Sequence, residues 1–328
     1  MSGKIISMRQ IKWMLPVLCL FVSGCQVAIP YKTDSSAPAL FGQINESTVD
    51  FYFSNLSKIE ITPSEITIGE KLAENSIFES FLVSYRVFEL KEYAVLNVPK
   101  AKGKFPIVIL DHGYLPPEKY ISGDGTRARD EFTKNDFITI SPDYRGHGKS
   151  DGSALGKNRF YYPVDVAVLI KSLRNIDKAD TNNIFMWGHS MGGNVTIKAA
   201  VLSKEKIRAV SLWAPTSLSE QKNFDRYLNS FGESADFKKY LTYKNFWENV
   251  SIGDNLDKLD SQIILHHSKS DPEVPYVWST EDLIPTLDKY AIPYKFYSYE
   301  NDGHNFENGS WSTAVKRDID FFKENLSK

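Results

Sequence analysis

The segment Gly188-His189-Ser190-Met191-Gly192 fits the spacing G-x-S-x-G. A serine held between small residues can attack an acyl carbonyl if its turn is sharp and a base stands close by. Such a turn needs a strand before the serine and a helix after it. An apolar run, Ile184 to Trp187, comes before the motif, and "GGNVTIKAA" follows it. Gly188, Gly192 and Gly193 supply the small flanking positions. The same residues would also serve a purely structural turn, so the nucleophile reading depends on partners elsewhere in the chain.

The base should be one of six histidines. In strand-turn-helix serine sites the chain order is Ser, then Asp or Glu, then His. His304, in "ENDGHNF", falls between the last expected strand and the last helix, at the carboxyl edge of the sheet where Ser190 must sit. His266 and His267 lie inside an apolar strand, where packing is their expected role. His189, in the turn itself, cannot bend back onto Ser190. The acid that orients the imidazole is expected to be Asp271, in "HSKSDPEVP" just past a strand. Glu273 is the alternative. Asp302 is too near His304 in sequence to orient it easily, and Asp111 and Asp143 at earlier strand ends could be structural. Two backbone donors would hold the oxyanion: the N–H of Met191, after the nucleophile, and the N–H of Tyr114 in "LDHGYLPP". His112-Gly113 would suit a plain turn as well.

The segments "HGY", "PDYRGHGKSDG", "GHSMGG", "SDPEVP" and "DGHNF" together resemble the α/β-hydrolase superfamily, from about Arg86 to the C-terminus. The resemblance implies Ser190 as nucleophile, His304 as base and Asp271 as acid, with Asp143 and Arg145 bracing loops. "SDPEVPY" and "YENDGHNF" look like the catalytic domain of the prolyl oligopeptidase (S9) family and the dienelactone-hydrolase-like enzymes. "GHSMGG" looks more like esterases and lipases, because the peptidases more often carry an aromatic residue after the serine. The expected chemistry is therefore carboxylic-ester hydrolysis through an acyl-enzyme. A small-peptide amidase is the alternative, and a non-catalytic binding protein on a hydrolase scaffold is a third reading. No metal or organic cofactor is expected.

Those residues need a scaffold of alternating strands and helices. "FPIVILDHG" is continuously apolar, as a strand buried on both faces must be. "DFITISPDYRGHG", "NNIFMWGHS", "IRAVSLWAP", "SQIILHHSKSD" and "PYKFYSYENDGH" read as further strands. "YYPVDVAVLIKSLRN" reads as an amphipathic helix, and "MGGNVTIKAAVLSK", "STEDLIPTLDKYA" and "WSTAVKRDIDFFKENL" as helices. The fold class is α/β, a mostly parallel sheet with helices on both faces. "RVFELKEYAVLNVP" looks like a hairpin. Before it, residues 46–85 form an extension in which "KIEITPSEITIG" alternates like a strand and "GEKLAENSIFESFLVS" could be a helix. The catalytic domain is expected over 86–328.

Residues 216–260 interrupt the rhythm with Phe224, Tyr227, Phe231, Phe237, Tyr240, Tyr243, Phe246 and Trp247. A structureless loop of that length would be unusual. The segment reads as a small helical insertion, either a lid over the pocket or an appendage with its own packing. Trp213, Tyr276 and Trp278 are candidate pocket residues, although core packing explains aromatics equally well.

Composition is that of a globular chain: 328 residues, 42% apolar, 13% aromatic, net charge −2. No basic excess points to nucleic acid. Both cysteines, Cys19 and Cys25, lie near the N-terminus, so the body carries no disulfide. Lys4, Arg9 and Lys12 precede an apolar run from Trp13 to Val22, then Ser23 and Gly24, which is the plan of a secretory signal. "VSGC" resembles the lipobox of bacterial lipoproteins. The resemblance implies removal of residues 1–24, lipidation of Cys25 and a tether over 25–45. Gln26 after the cysteine is, by the same resemblance, the outer-membrane pattern.

Overall fold

The computed structural model describes residues 49–227 and 235–327. The expected signal, the tether and Cys25 lie outside the described residues. Nine strands form one sheet: β1 (Thr67–Glu74), β2 (Phe78–Val87), β3 (Leu90–Pro99), β4 (Phe105–Asp111), β5 (Ile138–Asp143), β6 (Ala179–His189), β7 (Ile207–Trp213), β8 (Gln262–Ser268) and β9 (Tyr294–Tyr299). Their spatial order is β1-β2-β3-β5-β4-β6-β7-β8-β9. β1 to β3 are antiparallel, β3 runs antiparallel to β5, and from β5 to β9 every pairing is parallel. This is the expected α/β-hydrolase fold: a mixed, mostly parallel sheet with helices.

The helices in chain order are α1 (Phe53–Leu56), α2 (Arg129–Lys134), α3 (Tyr162–Ser172), α4 (Met191–Ser203), α5 (Glu220–Tyr227), α6 (Ala235–Tyr240), α7 (Phe246–Val250), α8 (Ile284–Lys289) and α9 (Trp311–Glu324). One core, with Val166, Leu169, Ile197 and Val201, joins α3 and α4 to the sheet. A second, with Phe132, Phe185, Phe321 and Phe322, fills the space under α2 and α9. Helices thus cover both faces, and the continuously apolar central strands are buried throughout apart from their ends.

The structure corrects three expectations. "GEKLAENSIFESFLVS" is the β1–β2 hairpin, not a helix. The Asn75 side chain accepts the N–H groups of Ile77 and Phe78, which offers the chain a turn in place of a helix. β1 is exposed along its length, and Lys71, Glu74 and Glu79 pair across that edge, which guards it against further strands. The proposed boundary at residue 85 falls inside β2, so the extension is continuous with the catalytic sheet. Helix α3 is not amphipathic: every residue from Tyr162 to Ile170 is buried. It lies between the sheet and its neighbours, and its one acidic residue, Asp165, receives a two-pronged bond from Arg145.

The insertion is helical, as expected, with α5, α6, α7 and a 3-10 turn at Gly253–Lys258. It has its own small core, shared with the start of the described chain. Val49, Phe51 and Tyr52 join Phe160, Phe237, Tyr240, Phe246 and Val250 there. Phe51 stacks on Phe160 at 5.3 Å between ring centroids and meets Tyr240 edge-on at 4.8 Å. The N-terminal segment therefore clasps the insertion, a link between distant parts of the chain that no local pattern signals.

Candidate active site

Ser190 links the end of β6 to the start of α4 with φ 57° and ψ −124°. This conformation is nearly confined to glycine, and holding a serine in it costs about 1–3 kcal/mol. The surroundings hold it. Its N–H donates to the Trp213 carbonyl at 2.9 Å, and its carbonyl accepts the N–H groups of Gly193 and Thr216 at 3.0 Å. The turn is tight: a Cβ on Gly192 would lie 2.0 Å from the Asp111 carbonyl oxygen, a backbone atom with no room to move. Beneath it, Thr196 Oγ1 donates to Asp111 Oδ2 at 2.6 Å.

His304 lies in the loop between β9 and α9, which Asp302 stabilises by accepting the N–H groups of Asn308 and Ser310. Its Nδ1 donates to Asp271 Oδ2 at 2.7 Å. That leaves Nε2 as the ring's lone-pair nitrogen. Asp271 Oδ1 accepts the N–H groups of Glu273 and Val274 at 2.8 and 2.9 Å. Burial pushes the Asp271 carboxyl up, but the hydrogen bonds from His267 and His304 outweigh it and hold it below the usual carboxylate range. Glu273, the alternative acid, is largely exposed and stands 3.9 Å from His304 Nε2, the wrong nitrogen for an orienting partner.

The loop after β4 closes the other side. Gly113 packs so near Ser190 that a Cβ on it would lie 3.1 Å from the serine's own Cβ. Tyr114 follows, its ring under the Arg159 guanidinium at 5.0 Å. Met191 is the first residue of α4, so its N–H has no carbonyl of the helix to bond and stays available. A cavity of about 360 Å³ opens above these groups. Gly113, Tyr114, Ser190, Met191 and His304 line it, and Asn194, Lys198, Glu220 and Asn223 are also in its wall.

Comparison with known proteins agrees with the fold. Residues 107–262 match the family described as "Serine aminopeptidase, S33". The chain is similar to acetyl xylan esterase 1 from Thermoanaerobacterium, with a TM-score of 0.65 and 20% identity over 85% of this chain and 94% of that one. It is similar to the acylaminoacyl peptidase of Pyrococcus horikoshii, with a TM-score of 0.62 and 16% identity over 78% of this chain and 43% of that one. A 2-(acetamidomethylene)succinate hydrolase of Mesorhizobium japonicum is 31% identical over 115 residues, 35% of this chain and 37% of that one. The chain has the α/β-hydrolase fold.

In this α/β-hydrolase fold the remaining histidines have other work. His189 Nε2 donates to the His304 carbonyl at 3.0 Å, and the two rings lie 4.5 Å apart. Burial, with the neighbouring His304, lowers the His189 imidazole to about 3, so it packs as a neutral ring. His112 is stacked on Tyr120 and Tyr144, and burial lowers it to about 3 as well. His266 bridges Tyr299 and Asp318, in keeping with a packing role. His267 bonds Ser279 and the Val274 carbonyl, but its Nε2 also lies 3.4 Å from Asp271 Oδ2, so it braces the acid as well as packing in the strand. Asp143 accepts from Tyr120 and Ser122, and Arg145 grips Asp165, so both brace loops.

The three candidate pocket aromatics are not in the cavity wall. The Trp213 ring is in the core, its Nε1 donating to Asp318 Oδ2 at 2.7 Å. Its carbonyl, not its ring, serves the site by anchoring Ser190. Tyr276 bonds Ser298 beside β9, and Trp278 meets Tyr227 from behind. The aromatic wall is instead Tyr114, Phe160, Tyr162 and Tyr227. The insertion does reach the cavity, through Glu220, Asn223 and Tyr227 of α5. It is tied to the acid loop: Arg226 donates to the Glu273 and Pro272 carbonyls at 2.6 and 3.1 Å, and Tyr227 Oη donates to the Glu273 carbonyl at 2.9 Å. Sequence reading missed Asn194 and Lys198, although Ser190, Asn194 and Lys198 are spaced i, i+4, i+8 along α4, a stripe that helical periodicity could have found. Glu220, Asn223 and Arg226 gave no such signal, because their place depends on how the insertion folds back.

Proposed function

We propose that the chain hydrolyses carboxylic esters through Ser190, His304 and Asp271. His304 Nε2 takes the Ser190 proton as the hydroxyl attacks the acyl carbonyl, and Asp271 stabilises the resulting imidazolium. The Met191 and Tyr114 N–H groups receive the oxyanion. The protonated histidine then gives its proton to the leaving alkoxide, and water, activated by the same nitrogen, releases the acid from the acyl-enzyme. The observation that carries this reading is His304, held through Nδ1 by Asp271, lining one cavity with a strained Ser190. Similarity to an acetyl xylan esterase and the methionine after the serine support ester over amide. A panel of short acyl esters beside aminoacyl and dipeptidyl amides tests it. Esters should be turned over at least tenfold faster, and a preference for the amides would overturn the reading.

A small-peptide amidase is the second reading, supported by the aminopeptidase description of the matched family and by the Glu273 carboxylate in the cavity wall, where an ammonium group could sit. The lipobox-like "VSGC" supports attachment of the chain to an envelope membrane through lipid on Cys25. Among the described residues no helix is long and apolar enough to cross a membrane. Cys25→Ser should move the protein from the membrane fraction to a soluble one, and unchanged fractionation would contradict lipidation.

A further inference from the structure

Four polar side chains, each at least nine-tenths buried, line the cavity beyond Ser190: Asn194, Lys198, Glu220 and Asn223. Eight residues separate Ser190 from Lys198, so their Cα atoms are about 12 Å apart along α4. A long helical side chain leans toward the helix N-terminus, which brings the Lys198 ammonium back toward the nucleophile. Lys198 Nζ donates to Glu220 Oε1 and, at 3.4 Å, to the Val250 carbonyl. An ammonium has three hydrogens, so one is left over.

Asn223 Nδ2 donates to the Ser217 carbonyl at 2.9 Å and to Glu220 Oε2 at 3.2 Å. These two acceptors fix the orientation of the amide. Asn223 Oδ1 is then a buried acceptor with no donor among the described residues. Asn194 is held in the same way, its Nδ2 donating to the Ser217 carbonyl at 2.7 Å.

Placing a charged pair in the wall of a substrate cavity is costly unless something uses it. The pair has no net charge, so it does not select an ion. A carboxylate would face the Glu220 and Asn223 acceptors, and an ammonium would face Lys198. An alkyl chain would leave the spare donor and the spare acceptor unmet, which buried polar groups penalise. A hydroxyl satisfies both, because it accepts from Lys198 and donates to the Glu220–Asn223 edge. Phe160, Tyr162 and Tyr227 offer apolar faces beside it, suited to the C–H face of a ring.

We propose that this end of the cavity is a subsite for a neutral, hydroxylated part of the ester substrate, of polyol or sugar-ring type. The proposal rests on the ester-hydrolase reading above and deepens it.

The test uses two acetate esters of similar size, a monoacetylated methyl pyranoside and cyclohexyl acetate, which lacks the hydroxyls. The protein should show a kcat/KM at least tenfold higher on the sugar ester. Asn223→Leu, and separately the charge-free double variant Lys198→Met/Glu220→Gln, should shrink that ratio to within about twofold, chiefly through KM for the sugar ester. Covalent labelling of Ser190 by a fluorophosphonate confirms that each variant is folded at the site. The Asn223→Leu arm decides the matter if the double variant does not fold. Equal turnover of both esters by the unaltered protein, or an unchanged ratio in the variants, overturns the subsite and leaves ester hydrolysis standing. Turnover of neither ester by protein that still labels is the separate result that overturns the ester reading and the subsite with it.

Discussion

His304 Nδ1 stands 2.7 Å from Asp271 Oδ2 across 33 residues of chain, and Asp271 Oδ1 is taken by two backbone N–H groups. The carboxylate is therefore held by two backbone amides and faces two imidazoles, His304 and, at 3.4 Å, His267. Its depressed pKa keeps it ionised wherever the base must work. Asp271→Asn keeps the shape and loses the charge and the preferred tautomer. It should lower kcat by about 10³–10⁴. Glu273→Gln, at an exposed carboxylate near the other nitrogen, should change it by less than about tenfold. Steady-state kinetics on a simple ester compares the two, and the reverse ranking would move the acid to Glu273.

The acid loop does not stand alone. Arg226 and Tyr227 of the insertion hold the Pro272 and Glu273 carbonyls, one step from the amides that bind Asp271. Arg226→Ala combined with Tyr227→Phe should lower kcat by about five- to thirtyfold, the equivalent of about 1–2 kcal/mol. Arg226→Lys, which keeps one donor, should fall between. The downfield NMR signal of the His304 Nδ1 proton should broaden or shift in the Ala/Phe variant. An unmoved signal would mean that the contact is packing only.

Asp111 carries a pH dependence of stability. Burial raises its carboxyl to about 7, against a smaller opposing effect from the Thr196 hydrogen bond. A carboxyl raised in the folded state stabilises most below its unfolded value of about 3.9, and that contribution is lost as pH rises through about 7. At about 1.4 kcal/mol for each pKa unit, the loss is as much as about 4 kcal/mol. Asp111→Asn keeps an acceptor for Thr196 and has no proton to lose. Urea unfolding at pH 4.5 and pH 8 should show the variant gaining on the unaltered protein as pH rises. A constant difference between the two would contradict the assignment.

The sheet was readable because central strands such as "FPIVILD" must be apolar throughout when both faces are covered. The Ser190 turn, His304 and Asp271 could be placed because each sits at the carboxyl end of a strand, in an order the chain displays. The β1–β2 hairpin reads as a helix because "GEKLAENSIFES" is rich in good helix formers, whereas its strand state depends on the Asn75 turn and on the pairing of β2 with β3. Trp213 looked like a pocket residue because ring type says nothing of which face of the sheet it points to. The Lys198–Glu220 wall was invisible for a deeper reason: it forms only when α5 comes back against α4, with Phe51 clasping the insertion's small core from the N-terminal side.

Everything proposed for the site turns on the Ser190 hydroxyl. The direct measurement is intact-protein and peptide mass spectrometry after reaction with a fluorophosphonate, on the unaltered chain and on Ser190→Ala, with p-nitrophenyl acetate turnover followed in parallel. The unaltered protein should gain one adduct, located on the peptide containing Ser190, and lose turnover as it forms. Ser190→Ala should gain none and should retain at most about 10⁻³ of the turnover. Labelling at another residue, or a Ser190→Ala variant that hydrolyses the ester at the original rate, would contradict the account.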